Sequence, residues 1–287
     1  MPEKCHDGVA LLIQKNVSTA NHAVRLDSDT SSAESSAVCI ETGQHFICRV
    51  PAIVERKQQP CPSILIDGNV AEGVDVLPGP FPRECLDRLY AIDMPIEFII
   101  GNGDRETLAA MQTGVSSAVP AYFHDAMRWN AAQLNQDDAK RIAQWPLTSR
   151  LHVGGIGDVM FCHATPRNDS EIFMRTTADA TLLPIFEPLG VHAVVCGHTH
   201  MQHQRTVGTT RIINAGSIGA SFQGPGAYWL LLDTTVQLRR TYYDVDEAAR
   251  RVRATNYPQK EEFASTSVLQ PPTEEATLKL FAAAAMK

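Results

Sequence analysis

Residues 193–200 read Ala-Val-Val-Cys-Gly-His-Thr-His, and this stretch decides how the rest of the chain is interpreted. The run before the glycine is small and apolar, which predicts a short strand buried on both faces. Gly197 lets the chain bend after that strand, so His198 and His200 can reach one small volume. A strand that ends in two such imidazoles is a candidate metal site. The alternative at this point is a loop with two histidines that face solvent.

Composition limits the function classes that need consideration. The chain has 287 residues, 44% of them apolar, and a net charge of -7, as expected for a soluble globular protein of one large or two small domains. No long cationic run is present, which gives no support for binding a nucleic-acid polymer. Seven cysteines without a Cys-x-x-Cys pair, no leader-like start and no long apolar run predict a cytoplasmic protein that is not attached to a membrane.

The middle of the chain alternates segments with strand and helix patterns, and its last third contains hairpins. Strands are predicted at 63–66, 96–100, 151–153, 159–162, 194–196, 204–207, 211–214, 227–232 and 237–243. Helices are predicted at 83–92, 104–111, 121–134, 137–145, 178–189 with a break at Pro184, 245–253 and 273–286. This order indicates an α/β or mixed architecture of three or four layers. The last helix is expected to pack on the body or against a second copy, so the oligomeric state is open and a homo-oligomer is one outcome.

Polar residues cluster after the predicted strands, where ligands bind in layered α/β folds. They are Asp75, Asn102 with Asp104, His163, and His198 with His200. Leaving Asp104 aside, one carboxylate, one amide and three imidazoles suit Mn, Fe, Ni or Zn better than Mg or Ca. Two such ions about 3.5–4 Å apart can share a carboxylate and clamp a phosphoryl group.

In their order and spacing, five motifs resemble those of the calcineurin-like metallophosphoesterases, specifically the small prokaryotic phosphodiesterase branch. They are Asp75-Val-Leu-Pro-Gly-Pro, Gly101-Asn102-Gly103-Asp104, Cys162-His163-Ala164-Thr165-Pro166, Gly197-His198-Thr199-His200 and Asn214-Ala215-Gly216-Ser217. The resemblance runs from Asp75 to Tyr243. It implies a four-layer αββα sandwich in a domain at residues 61–258. A divergent or poorly ordered segment, 1–60, would precede this domain, and an extension, 259–287, would follow it.

The resemblance also implies roles for these residues. Asp75 would bridge two metal ions, most simply Mn, with Fe, Ni or Zn as alternatives. Asn102, His163 and His198 would complete one site, and His200 would belong to the other. The implied activity is hydrolysis of a small phosphate ester, in particular a phosphodiester, by a metal-activated water.

Other roles remain open for several of these side chains. Asn102 could simply hold a turn, and His163 could be a buried histidine with satisfied hydrogen bonds. Asp104, counted here among the catalytic candidates, and Arg105 would support the ligands or face the phosphate. Alternatively both would begin a solvated helix, with Asp104 as its N-cap.

Two departures from the family pattern shape the expectation. No histidine in this chain has Asp two positions before it, so the family's first motif, Asp-x-His, is missing. Asp67 would be a partial substitute without a histidine partner, so we expect metal stoichiometry nearer one than two per chain. The missing motif also leaves an alternative, a catalytically impaired scaffold that binds metal or protein. The second departure is Gly103, which stands where phosphoprotein phosphatases of the superfamily carry a histidine; this favours the phosphodiesterase branch.

Two other enzyme classes are excluded. Ala215-Gly216-Ser217-Ile218-Gly219 imitates a nucleophile elbow, but a hydrolase of that fold needs a histidine later in the chain, and none follows His203. Cys162 and His163 cannot form a dyad, because neighbouring residues on a strand point to opposite faces.

Overall fold

The computed structural model describes residues 52–54, 63–68, 77–91, 96–232 and 234–286, which all belong to one unit, His45–Lys287. The strands are β1 Ala52–Val54, β2 Ser63–Gly68, β3 Ile96–Ile100, β4 Thr148–Val153, β5 Gly157–Cys162, β6 Ala193–Cys196, β7 His203–Val207, β8 Thr210–Asn214, β9 Ala227–Leu232 and β10 Val236–Thr241. The helices are α1 Pro82–Tyr90, α2 Asn102–Thr113, α3 His124–Ala131, α4 Gln136–Ile142, α5 Asp179–Phe186, α6 Val245–Arg253, α7 Lys260–Phe263 and α8 Glu274–Phe281. Turns of 3-10 helix occupy Ala121–Phe123 and Glu187–Leu189, and a π-helical segment, Ala264–Leu269, continues α7.

Within the described ranges the strands form two five-stranded sheets. The first has the order β10-β9-β1-β2-β3, and the second has the order β4-β5-β6-β8-β7. In the second sheet the three central strands β5, β6 and β8 are parallel, and antiparallel strands flank them on both sides. Parallel strands β2 and β3 occupy one end of the first sheet.

The core between the sheets follows from the period of two along each strand. On β5, Val159 and Phe161 face the first sheet, whereas Met160 and Cys162 face the opposite way. The inner set packs with residues of β3 and β9 such as Ile99, and the outer set packs under α5. The strands buried on both faces therefore read as continuous apolar runs in the sequence.

Helices cover the outer faces of both sheets, which confirms the four-layer αββα arrangement. Phe98 of β3 meets Tyr90 of α1 with ring centroids 6.2 Å apart, on the outer side of the first sheet. On the second sheet, Leu182 and Phe186 of α5 are buried against the outward residues. Helices α3, α6 and α7 share a further apolar cluster. Within the described part of the chain, no helix has both the length and the apolar character needed to cross a bilayer.

The predicted elements agree with the structure except at their ends. Strand Ile96–Ile100 and helix Val245–Arg253 have the predicted bounds. The predicted helix at 121–134 is a 3-10 turn followed by the shorter α3. Helix α5 passes through Pro184 and ends at Phe186, so the break falls after the proline rather than at it. The helical segment beginning at Lys260 was not predicted, because its sequence is polar and shows little apolar periodicity. The predicted domain limits at residues 60 and 258 stay predictions.

Candidate metal centre

The parallel strands of the second sheet bring three motifs to one edge. His163 directly follows β5, Gly197 directly follows β6, and Asn214 ends β8. The Gly197 N–H donates to the His163 carbonyl at 2.9 Å, which extends the strand pairing into the loops. Because the carboxyl ends of parallel neighbours meet at one edge, side chains far apart in sequence share one site.

The imidazoles of His163 and His198 meet at this edge. Nε2 of His163 lies 2.9 Å from Nδ1 of His198, and both side chains are buried. Two nitrogens that bind one ion at about 2.1 Å and at right angles are about 3 Å apart, so the pair fits two ligands of a single ion. In the neutral tautomers with both facing nitrogens unprotonated, each ring has a lone pair on the nitrogen that faces its partner.

His200 is held as a ligand-ready tautomer by its surroundings. Its Nδ1 lies 2.7 Å from the carbonyl oxygen of Ala220, which can only accept a hydrogen bond, so the ring proton sits on Nδ1. This leaves the lone pair on Nε2, as in histidine ligands whose other nitrogen donates to a carbonyl. The fully buried ring also stacks on Phe222, with centroids 4.9 Å apart.

The backbone of the two histidines is unusual. His198 has φ 63° and His200 has φ 58°, the left-handed region that side chains other than glycine rarely adopt. Such a conformation costs roughly 1–2 kcal/mol per residue and persists only where other contacts impose it. In this loop the left-handed residues carry imidazoles that are both buried.

Asn214 supplies the contacts that impose this loop conformation. Its side-chain Nδ2 donates to the Gly197 carbonyl at 2.5 Å and to Thr199 Oγ1 at 3.1 Å, while Oδ1 accepts from the Gly216 N–H at 2.9 Å. One buried amide therefore joins the histidine loop to the loop after β8. Gly216 is required there, because its φ is +84° and a Cβ would lie 2.8 Å from Cβ of Tyr228.

The remaining predicted ligand with a described position is Asn102. It is the first residue of α2, and one residue, Gly101, separates it from β3. Asp104 does not begin a solvated helix, and the N-cap prediction for it is wrong. Gly101 is the N-cap, and Asp104 is the fully buried third helical residue, with Oδ2 3.4 Å from the Gly101 N–H. The buried carboxylate thus fixes the turn that carries Asn102.

Arg105 has a partner that the sequence did not reveal. Its Nε and Nη2 donate to the two carboxylate oxygens of Asp169 at 2.7 and 3.0 Å. Asp169 belongs to the loop that follows His163. Burial alone would raise the pKa of Asp169, but hydrogen bonds from Arg105 and Ser170 outweigh burial and hold this pKa below its usual range. The pair fastens the first turn of α2 to the His163 loop.

The predicted bridging ligand, Asp75, lies outside the described residues. Downstream of it, the Gly79 N–H donates to Oδ1 of the buried Asn130 at 2.9 Å, so α3 anchors the end of that motif. Asp67 lies on β2 opposite Ile99 of β3. Among residues with described positions, no group of three or more His, Cys, Asp or Glu side chains is arranged to hold a metal ion. The described portion of the site is thus the two-imidazole pair, with His200 two residues along the same loop.

The sequence reasoning missed Asn130, Asp169 and Phe222, which act on the site through neighbours. Asn214 was noticed only as part of a small-residue loop. The sequence does show an amide or a carboxylate within an apolar or loop segment at some of these positions. It does not show the residue that each one contacts, because that residue lies far away in the chain. Arg105 and Asp169, for example, are 64 residues apart.

The chain was compared with known proteins by sequence and by structure. No curated protein matched. The structure is similar to the hypothetical protein PH1004 from Pyrococcus horikoshii OT3, at a TM-score of 0.60 and 16% identity over 73% of this chain and 86% of that one. A metallophosphoesterase from Sphaerobacter thermophilus gives a TM-score of 0.49 and 19% identity over 67% and 83% of the two chains. Vps29 from Entamoeba histolytica, complexed with Zn2+, gives a TM-score of 0.35 and 13% identity over 68% of this chain and 98% of that one. The likeness to PH1004 describes a shared fold.

The calcineurin-like phosphoesterase superfamily domain matches residues 50–237, a range that contains β2 to β9, all five motifs and the converging imidazoles. Members of that superfamily are generally hydrolytic and bind divalent metals. Because the match extends over more than half of its length, the chain belongs to the calcineurin-like phosphoesterase superfamily.

Proposed function

We propose that this protein is a metal-dependent phosphodiesterase that acts on a small phosphorylated substrate. The observation that supports it is the convergence of His163 Nε2 and His198 Nδ1, 2.9 Å apart and buried at the strand ends of a phosphoesterase domain. Two buried imidazoles whose nitrogens face each other at this distance suit one ion.

The residues proposed to hold the metal are those of the motif set. His163 and His198, with Asn102 and Asp75, would bind one ion, and His200 would serve the second position. This mixture of nitrogen and oxygen donors suits Mn, Fe, Ni or Zn, and Mn is our first choice. When bound, such an ion supplies a nucleophile at neutral pH and neutralises charge on the phosphoryl group.

The chain's own residues prepare the site for that chemistry. Asn214 holds the loop that carries His198 and His200, and the Ala220 carbonyl keeps the ring proton of His200 on Nδ1. Gly103 offers no acid to the leaving group, so a substrate with a good leaving group is favoured. This fits a diester with an acidic alcohol or phenol better than an ordinary alkyl monoester.

A second candidate function is a protein-binding or metal-binding scaffold with little hydrolytic activity. The observation that favours it is the missing Asp-x-His motif, which leaves His200 with fewer candidate partners than His198. In that case the His163 and His198 pair would still bind an ion. Because the chain has an odd number of cysteines and no Cys-x-x-Cys pair, we propose a cytoplasmic location for either function.

The test is hydrolysis of bis-p-nitrophenyl phosphate by metal-stripped protein after Mn is added back. We expect Mn-dependent release of p-nitrophenol by the wild type, loss of activity in His198→Ala, and unchanged activity in His152→Ala, whose side chain is exposed. Metal binding without hydrolysis would favour the scaffold. Neither binding nor hydrolysis, or activity that survives His198→Ala, would overturn the enzyme proposal.

A further inference from the structure

The last helix packs against Phe222, a neighbour of His200, although it lies beyond the matched domain. The domain match ends at residue 237, and α8 begins at Glu274. We call residues 274–286 the C-terminal strap. The strap packs on the body of its own chain, which is one of the two arrangements expected from the sequence.

The strap reaches His200 through one aromatic residue. Phe281 is 5% exposed, and its ring centroid lies 6.0 Å from that of Phe222. Phe222 in turn stacks on His200 at 4.9 Å with the ring planes 19° apart. The buried apolar cluster at this point consists of Met174, Met201, Phe222 and Phe281.

Both ends of the strap are anchored to the segment that follows the His163 loop. Glu274 forms an ion pair with Arg175, and the Met286 N–H donates to the Ile172 carbonyl at 2.9 Å. The Thr273 hydroxyl caps the helix by accepting from the Ala276 N–H at 3.3 Å. These contacts fix where Phe281 lies relative to the centre.

Phe222 contacts His200 through a backbone hydrogen bond as well as through ring stacking. Its N–H donates to the His200 carbonyl at 3.2 Å, and Ala220, two residues earlier, accepts the Nδ1 proton of His200. A shift of Phe222 would therefore disturb the left-handed backbone of His200 and its tautomer-setting hydrogen bond together. An apolar wall around a metal ligand also controls access of water to the site.

We propose that the C-terminal strap is a positioning element of the metal centre, in which Phe281 holds Phe222 against His200. Its link to metal binding rests on the proposed function, whereas the positioning of His200 does not. Phe281 acts through Phe222 and touches neither metal nor substrate.

The experiment compares Phe281→Ala with Leu280→Ala in the full-length chain. Leu280 is the neighbouring residue on the same helix and is 67% exposed, so it controls for helix propensity and for mutation of the strap itself. The first readout needs no metal: it is hydrogen exchange at the Phe222 amide. We expect exchange to be at least about tenfold faster in Phe281→Ala and unchanged in Leu280→Ala. Phe281→Leu, which restores most of the apolar volume, should recover the wild-type rate.

The second readout is the dissociation constant for Mn, measured by calorimetry on metal-stripped protein. Loss of a residue that orients a ligand typically weakens metal binding by about 10–100-fold, and we expect a change of that size for Phe281→Ala alone. If wild-type protein binds no metal, the proposed function fails, but the exchange test still decides the positioning claim.

Three results would overturn the inference. They are unchanged exchange at Phe222 in Phe281→Ala, exchange accelerated equally throughout the chain, and Leu280→Ala behaving like Phe281→Ala. If Phe281→Ala does not fold, Glu274→Gln, which loosens the anchor on Arg175, is measured in the same way. Local acceleration at Phe222 in Glu274→Gln supports the strap, and its absence contradicts it.

Discussion

Nε2 of His163 lies 2.9 Å from Nδ1 of His198, although the two residues are 35 positions apart. They meet because β5 and β6 are parallel neighbours and each histidine lies just beyond the end of its strand. At this separation the two nitrogens can share one proton or face one ion, and two protonated rings would repel each other. This pair is the part of the proposed metal site that the structure describes most fully.

The paired imidazoles should act as one unit in metal binding. We expect His163→Ala and His198→Ala each to weaken Mn binding by at least about 100-fold, and the double variant to be little worse than either single variant. Binding isotherms of the four proteins test this. Additive losses would mean that the two rings serve different ions.

Asn214→Ala should damage the centre without removing a ligand. Loss of its donated and accepted hydrogen bonds is expected to weaken metal binding by about 10–100-fold and to destabilise the fold by about 1–3 kcal/mol. Asn214→Asp keeps the acceptor for Gly216 but loses the donor to Gly197. If the aspartate variant binds metal like the wild type, the donated bond does not shape the loop.

The left-handed backbone of His198 predicts an unusual order of stabilities. His198→Gly should be more stable than His198→Ala by about 1 kcal/mol, because only glycine adopts φ 63° without steric cost. At His152, on strand β4, the order should reverse, since glycine weakens a strand. Urea denaturation of the four variants measures both differences. An Ala variant at 198 as stable as the Gly variant would contradict the strain.

The Arg105 and Asp169 pair should couple stability to metal affinity. Asp169→Asn removes the carboxylate that receives two guanidinium hydrogen bonds, and we expect a loss of about 1–3 kcal/mol together with weaker Mn binding. Asp125→Asn breaks an exposed pair with Arg128 and should change neither quantity measurably. Weakened binding in both variants would indicate a nonspecific effect of lost charge.

His203 predicts a dependence of stability on pH. Burial lowers the pKa of His203, and the charges of Arg205 and Arg175 lower it further. The hydrogen bond to the Met201 carbonyl and the charge of Glu274 raise this pKa, but they offset the effect of burial only in part. The unfolded chain, with a histidine pKa of about 6.5, therefore binds this proton more readily than the folded chain, and stability falls as pH drops below about 6.5. His203→Gln should lose less stability between neutral and acidic pH than the wild type. An identical slope for the two proteins would contradict this account, and the exposed His152→Gln serves as control.

Much of the fold was predictable because the strands of the second sheet are buried on both faces. Val194 and Val195 lie on opposite sides of β6, and each is buried, so the strand appears in the sequence as a continuous apolar run. Helix α6 was equally clear, since Asp244 caps it and basic residues end it. The ends of helices near prolines, and the helical segment from Lys260, could not be predicted from the local spacing of apolar residues. They depend on tertiary packing, such as the burial of Phe263 in an apolar cluster.

The ligand motifs were predictable, but what orients them was not. His163, His198 and His200 follow recognisable strands, whereas the link from Phe281 through Phe222 to His200 joins residues that no local pattern connects. The same is true of Arg105 and Asp169, which only the fold brings together.

The most direct measurement of the central claim is calorimetric titration of Mn into metal-stripped wild-type protein, His163→Ala and His198→Ala. We expect about one ion bound per wild-type chain, with binding weakened at least about 100-fold in both variants and preserved in His152→Ala. No binding by the wild type, or binding that is unchanged in both His163→Ala and His198→Ala, would contradict it.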